Sequence, residues 1–163
     1  MSLVRSGSIL ALVLAYLVVT SACGSATKTA TNVSAPTGSN SNSNLPRSNV
    51  EELGLVINVP YVPEDIVWKE YAKPHKLLAV FRFSAEDSAK IVAASTAKGA
   101  DPVTVSSEPW FPDELIAQGN LTGDDSLKGQ AYEPNLFVQD PFNLGQLVRI
   151  EGTDYFVLDL DAK

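Results

Sequence analysis

Gln146-Leu147-Val148-Arg149-Ile150, Glu151-Gly152-Thr153-Asp154 and Tyr155-Phe156-Val157-Leu158-Asp159-Leu160 follow one another near the end of the chain. Two runs rich in β-branched and aromatic residues, separated by a short polar stretch containing glycine, are the signal for a β-hairpin. A C-terminal hairpin joined by other short strands, with few helices between them, places the chain in the α+β class. The expected architecture is a small, mainly antiparallel sheet with one longer helix and one short helix.

Working outward, Lys76-Leu77-Leu78-Ala79-Val80-Phe81-Arg82-Phe83 is the strongest upstream strand. It is apolar on both faces through most of its length, which suits a central position, with Arg82 near an edge or end. Ile66 to Tyr71 reads as a second strand and Val103-Thr104-Val105 as a third. Leu53 to Val59, a short apolar run ending at Pro60, reads as a strand on its length and β-branching.

The longer helix starts after Ser84, a suitable N-cap. Glu86 and Asp87 fall in the first turn, and Asp87 stands where a capping box has its acid. Ala85, Ala89, Ile91 and Val92 share one face. Lys98 would close the last turn, with Gly99 as the C′ residue. A short second helix is expected with Pro112 at N1, Asp113 and Glu114 in its first turn and Gly119 at its end. Asn120 to Gly145 reads mostly as turns. Residues 50–163 suffice for one domain with a single core.

Charge is distributed unevenly. All 19 acidic residues lie in 50–163 with nine of the 12 basic ones, so this part carries −10. Such a surface disfavours nucleic acid, which requires clustered Lys and Arg to displace counterions. It is also repelled by anionic lipid headgroups, and self-repulsion favours a soluble monomer.

The other end of the chain reads as an export signal. Arg5 precedes an apolar run from Ile9 to Val19, then Thr20-Ser21-Ala22 and the only cysteine, Cys23. A basic flank, a short apolar core and a small-residue exit form the secretory pattern. The run is shorter than the ~20 residues that span a bilayer. Val19-Thr20-Ser21-Ala22-Cys23 resembles the lipobox of bacterial lipoproteins, with Thr20 where that family most often has leucine. The resemblance implies cleavage between Ala22 and Cys23 and fatty acylation (palmitate) of Cys23. It also implies a protein held on a membrane in the cell envelope, facing outside the cytoplasm. Two or three acyl chains give durable attachment where one does not. The alternative is an ordinary secretory signal cut after Ala22 or Ala26. A lone cysteine in an exported chain has no internal partner, and its place at the end of the apolar run selects modification.

The expected organisation is a signal peptide at 1–22, a lipidated cysteine and tether at 23–49, and the domain at 50–163. The tether is dominated by Ser, Thr, Asn, Ala and Gly, with Ser39 to Asn44 of low complexity. Such composition buries too little apolar surface to offset ordering entropy. The 26 residues from Gly24 to Asn49 would span about 28 Å as a random coil.

Chemistry-bearing motifs are sparse. His75 is the only histidine, so a zinc site would need carboxylates for every other ligand, and a surface histidine is the plainer reading. Gly123-Asp124-Asp125-Ser126 lacks the glycine and glutamate spacing of an EF-hand and reads as a solvated turn. Glu108, Asp113, Glu114 and Glu133 lie near Trp110, Phe111 and Tyr132 in sequence, and carboxylates beside aromatics build sugar clefts and glycosidase sites. Trp110, Phe111 and Tyr132 are therefore the candidate binding residues, with no cofactor and no metal expected. The block from Trp110-Phe111-Pro112 through Tyr155-Phe156-Val157-Leu158 is similar to small uncharacterised bacterial lipoproteins, a resemblance that implies no activity.

The expected function is a membrane-anchored binding or assembly module for an envelope protein or glycan. The alternative is a carboxylate-based cell-envelope hydrolase. A hydrolase should show carboxylates converging in a cleft, at least one desolvated. A binding module should present an exposed aromatic or apolar patch without that cluster.

Overall fold

A computed structural model describes residues 45–163. The signal at 1–22, with Ala22, and the lipid site Cys23 lie outside the described residues, as does the tether as far as residue 44. The described chain adopts the mainly antiparallel α+β class expected of it. Its elements are α1 (Val50–Leu53), β1 (Asp65–Ala72), β2 (His75–Arg82), α2 (Ala85–Ala94) and β3 (Val103–Ser106). They continue with α3 (Asp113–Thr122), β4 (Ser126–Tyr132), β5 (Phe142–Ile150) and β6 (Tyr155–Ala162). The six strands form one sheet in the order β1-β2-β6-β5-β4-β3, every neighbouring pair antiparallel. The last strand thus fills the centre, joining the β1–β2 pair to the β3–β4–β5 meander.

Alternation along the strands feeds two cores. Leu77, Ala79 and Phe81 of β2 and Phe156, Leu158 and Leu160 of β6 enter the first, with Trp68 of β1. Leu53 of α1, Ile91 of α2 and Phe137 cover that face. Phe81 stacks on Phe83 at 5.4 Å between ring centres, and Phe137 lies 5.5 Å from Phe81. On the second face, Leu78, Val80, Val148, Ile150, Tyr155 and Val157 pack under Phe111 and Leu115 of the α3 region. Both faces of β2 are therefore buried, and Arg82 is its last residue.

Several local expectations are corrected. Residues 53–59 are not a strand: α1 ends at Leu53 and a turn follows. Asn49 caps α1, its side-chain oxygen accepting from the Glu51 and Glu52 amides. Leu53 and Ile57, four residues apart, are both fully buried while Leu55 is exposed, which is helical rather than strand spacing. In α2, Ser84 accepts from the Asp87 amide as expected of an N-cap. The helix stops at Ala94, however, and Lys98 and Gly99 lie beyond it. The chain there pairs with β4 instead, Lys98 N–H donating to Ala131 O and Glu133 N–H to Thr96 O. The buried side of α2 is Ser88 and Ile91, not Ala85 and Ala89.

α3 is as long as α2, ten residues each, so neither is the long one. Pro112 is its N-cap, Gly119 is buried within it, and Gly123, at φ 80°, ends it in the left-handed conformation that glycine favours. The stretch read as turns contains β4. Its sequence, Ser-Leu-Lys-Gly-Gln-Ala-Tyr, is polar on one side and buries Leu127 and Ala131 on the other.

The fold is already engaged at the last residues of the stretch assigned to the tether. Arg47 exchanges both backbone hydrogen bonds with Trp68, and its guanidinium lies 3.9 Å from the Trp68 ring centre. The outer side of edge strand β1 is thereby partly covered.

Candidate functional site

The second face changes character along its length. Toward α3 it is apolar; at the other end the same strands present Lys76, Asp159 and Gln146. Asp159 pairs in register with Leu78 on one side and Gln146 on the other, so its side chain shares their face. Gly145, before Gln146, has φ 142°, and a Cβ there would stand 2.0 Å from Asp159 O. Only glycine lets β5 approach β6 so closely at this point.

Lys76, Leu78, Gln146 and Asp159 form one side of a hollow of about 210 Å3, and Thr104, Val105, Ser106 and Glu108 form the other. β2 and β3 stand at opposite parts of the sheet order, so lining one hollow requires the sheet to curl like half a barrel. The Lys76 ammonium straddles both carboxylate oxygens of Asp159, each at 2.9 Å. Among the described residues Glu108 makes no ion pair. The floor is thus charge-balanced and the wall carries one unmatched carboxylate.

Tyr71 and Trp110 pack against the second core. Burial pushes the Tyr71 hydroxyl pKa up; the neighbouring Trp110 indole pulls it down, Glu108 and Asp159 raise it, and Lys76 lowers it. These influences place the hydroxyl in the same electrostatic neighbourhood as the hollow. The Tyr71 hydroxyl and the Trp110 indole N–H, both buried, are each other's polar neighbour, in a geometry looser than a full hydrogen bond.

The residues singled out from sequence fall in different places. Trp110 and Phe111 meet edge to face at 4.9 Å between centres, on the second face, and Phe111 is buried in its core. Tyr132 packs against the first core. It lines a separate groove of about 520 Å3 with Gln130, Arg149, Thr153 and Asp154. The structure therefore does not bring the three aromatics together. In that larger groove the polar groups serve the fold: Arg149 donates to Thr153 O and Asp154, and Gln130 donates to Gly99 O.

The carboxylates separate as well. Asp113 and Glu114 start α3, and Glu114 accepts a short hydrogen bond from the Tyr155 hydroxyl. Glu133 stands 3.9 Å from Lys98. Only Glu108 reaches the hollow. His75 is exposed, with Nε2 3.1 Å from Glu70. Asp124 accepts from Thr122 and Ser126, closing the turn after α3. Among the described residues no three His, Cys, Asp or Glu side chains are grouped to hold a metal ion.

Lys76, Gln146 and Asp159 were missed in sequence. A signal did exist: Asp159 stands between buried Leu158 and Leu160 and pairs in register with buried Leu78. Scans against protein-family models, curated proteins and solved structures find no match to this chain.

Proposed function

We propose that the chain is a lipid-anchored, extracytoplasmic envelope protein whose acidic domain acts by binding, through the hollow above Lys76 and Asp159. The observation that supports this most is the polar end of the second face. There β2 and β6 carry a braced ion pair, β5 an amide, and the loop after β3 an open carboxylate within one concavity, as in binding sites with a few placed polar groups. The anchor follows from the Arg5–Cys23 signal, and the net charge of −10 keeps the domain off anionic headgroups.

A hydrolase reading has one observation in its favour: Glu108 and Asp159 face the same hollow. Lys76 occupies both oxygens of Asp159, which leaves Glu108 alone to act as acid or base. Binding accounts for the arrangement with fewer requirements.

The anchor is tested by Cys23→Ser. Mass spectrometry should find acylated Cys23 first in the mature wild-type chain, and the variant should leave the detergent-rich phase. A mature chain beginning at Thr27, or an unacylated Cys23, would refute it. Binding is tested by cross-linking the anchored protein in its membrane with wild-type, Lys76→Gln and Glu108→Gln chains. The specific adducts should be lost in both variants; adducts unchanged in both would place the binding surface elsewhere.

A further inference from the structure

We infer that the hollow receives a single cationic group, an amine or guanidinium, whose positive charge is met by Glu108. This rests on the binding reading above and names the chemistry of its ligand. The charge count decides it. Lys76 is matched by Asp159 through two contacts of 2.9 Å, so an anionic ligand would have to break that pair to reach a cation. Glu108 has no ion pair among the described residues, so a positive group adds an interaction without dismantling one. The lining also offers an acceptor to the remaining N–H donors of such a group, the Gln146 side-chain carbonyl.

Two further observations agree. The hollow, about 210 Å3, has room for one side-chain head with part of its stem, lying against Leu78 and Val105. The domain's charge of −10 steers cations toward the surface before contact. The same positive group could come from a small free amine or from a Lys or Arg side chain of a peptide, and the test separates these sources.

The test is a chemical-shift titration of the full chain with four probes. They are Nα-acetyl-lysine amide, ethylamine, a Gly-Ser peptide carrying one lysine, and the uncharged Nα-acetyl-norleucine amide. The lysine probe should move the backbone amides of Thr104, Glu108, Gln146 and Asp159, and the norleucine probe should not. Glu108→Gln should weaken the lysine probe roughly tenfold or more, as loss of a charged partner does. Because Glu108 is partly exposed, its melting temperature serves as the check that this variant is folded. A peptide much tighter than ethylamine identifies a protein side chain as the source; equal affinities identify a small amine. Equal response to norleucine, unchanged affinity in Glu108→Gln, or no response to any amine would each overturn the inference. The binding reading survives those results if the cross-linked adducts still depend on Lys76 and Glu108, so the two failures are distinguishable.

Discussion

The two faces of the sheet share the same strands and end differently. The first is covered by α1, α2 and Phe137, with Phe83 in contact with both Phe81 and Phe156, and it carries the larger groove at Gln130, Tyr132 and Arg149. The second is closed by Phe111 and α3 at one end only, and at the other passes into Lys76, Gln146 and Asp159. Alternation explains how both arise from one strand. In β6, Leu158 and Leu160 serve the first face while Val157 and Asp159 serve the second. The comparison teaches that the phenylalanine cluster gives the first face the greater share of cohesion, while each face leaves one region to polar groups.

The sharpest way to break this comparison is to truncate one side chain on each face. Phe81→Ala removes a fully buried ring that contacts Phe83 and Phe137, and should cost about 3–5 kcal/mol in urea unfolding. Leu115→Ala, under α3 on the second face, should cost about 2–3 kcal/mol, the low end of its class, because a rim helix can settle into the space. A larger loss at Leu115 than at Phe81 would invert the assignment of cohesion to the first face.

Alkaline titration probes the end of the second face that α3 covers. Burial, then the hydrogen bond to Glu114 and the charge of Glu114, push the Tyr155 pKa up to about 12 from 10.0. The unfolded chain therefore releases this proton first. Stability from the group is complete below pH 10 and is lost as pH rises through about 12. Wild-type protein should lose more stability than Tyr155→Phe between those limits, measured by urea midpoint. Parallel curves would show that the hydroxyl is not held neutral by its site.

The smallest effect belongs to the hollow. Glu108→Gln should change stability by no more than about 0.5 kcal/mol, since among the described residues it breaks no ion pair. A cost comparable to that of Leu115→Ala would make Glu108 part of the structural side of the comparison.

Much of the fold was legible where the code is local. Ser84 announces α2 because a hydroxyl before a helical run satisfies a free amide, and 76–83 announces an inner strand because it is apolar on both sides. The misread elements are those in which a long-range partner outweighs local preference. β4 is a polar segment containing Gly129, where a Cβ would stand 2.3 Å from Arg149 O; it is a strand because β3 and β5 flank it. Residues 96–98 leave the helical pattern because Ala131 and Glu133 offer them backbone partners. Glu108 was within reach as a carboxylate beside aromatics, but its grouping with Trp110, Phe111 and Tyr132 followed nearness in sequence. Alternation along β4 sends Tyr132 to the other core, away from the face of Ala131 and Phe111.

By itself the sequence determined the α+β class, the strands at 66–71, 76–83 and 103–105, and the acidic character of the domain. These depend on alternation, capping and composition, which act between near neighbours or on the chain as a whole. Only the tertiary structure decided that the last strand occupies the centre. It alone also decided that α3 closes one end of a face, and that Lys76, Glu108, Gln146 and Asp159 meet. Those outcomes depend on pairing between residues as far apart as Lys76 and Asp159, whose contact exists only once β6 has entered between β2 and β5.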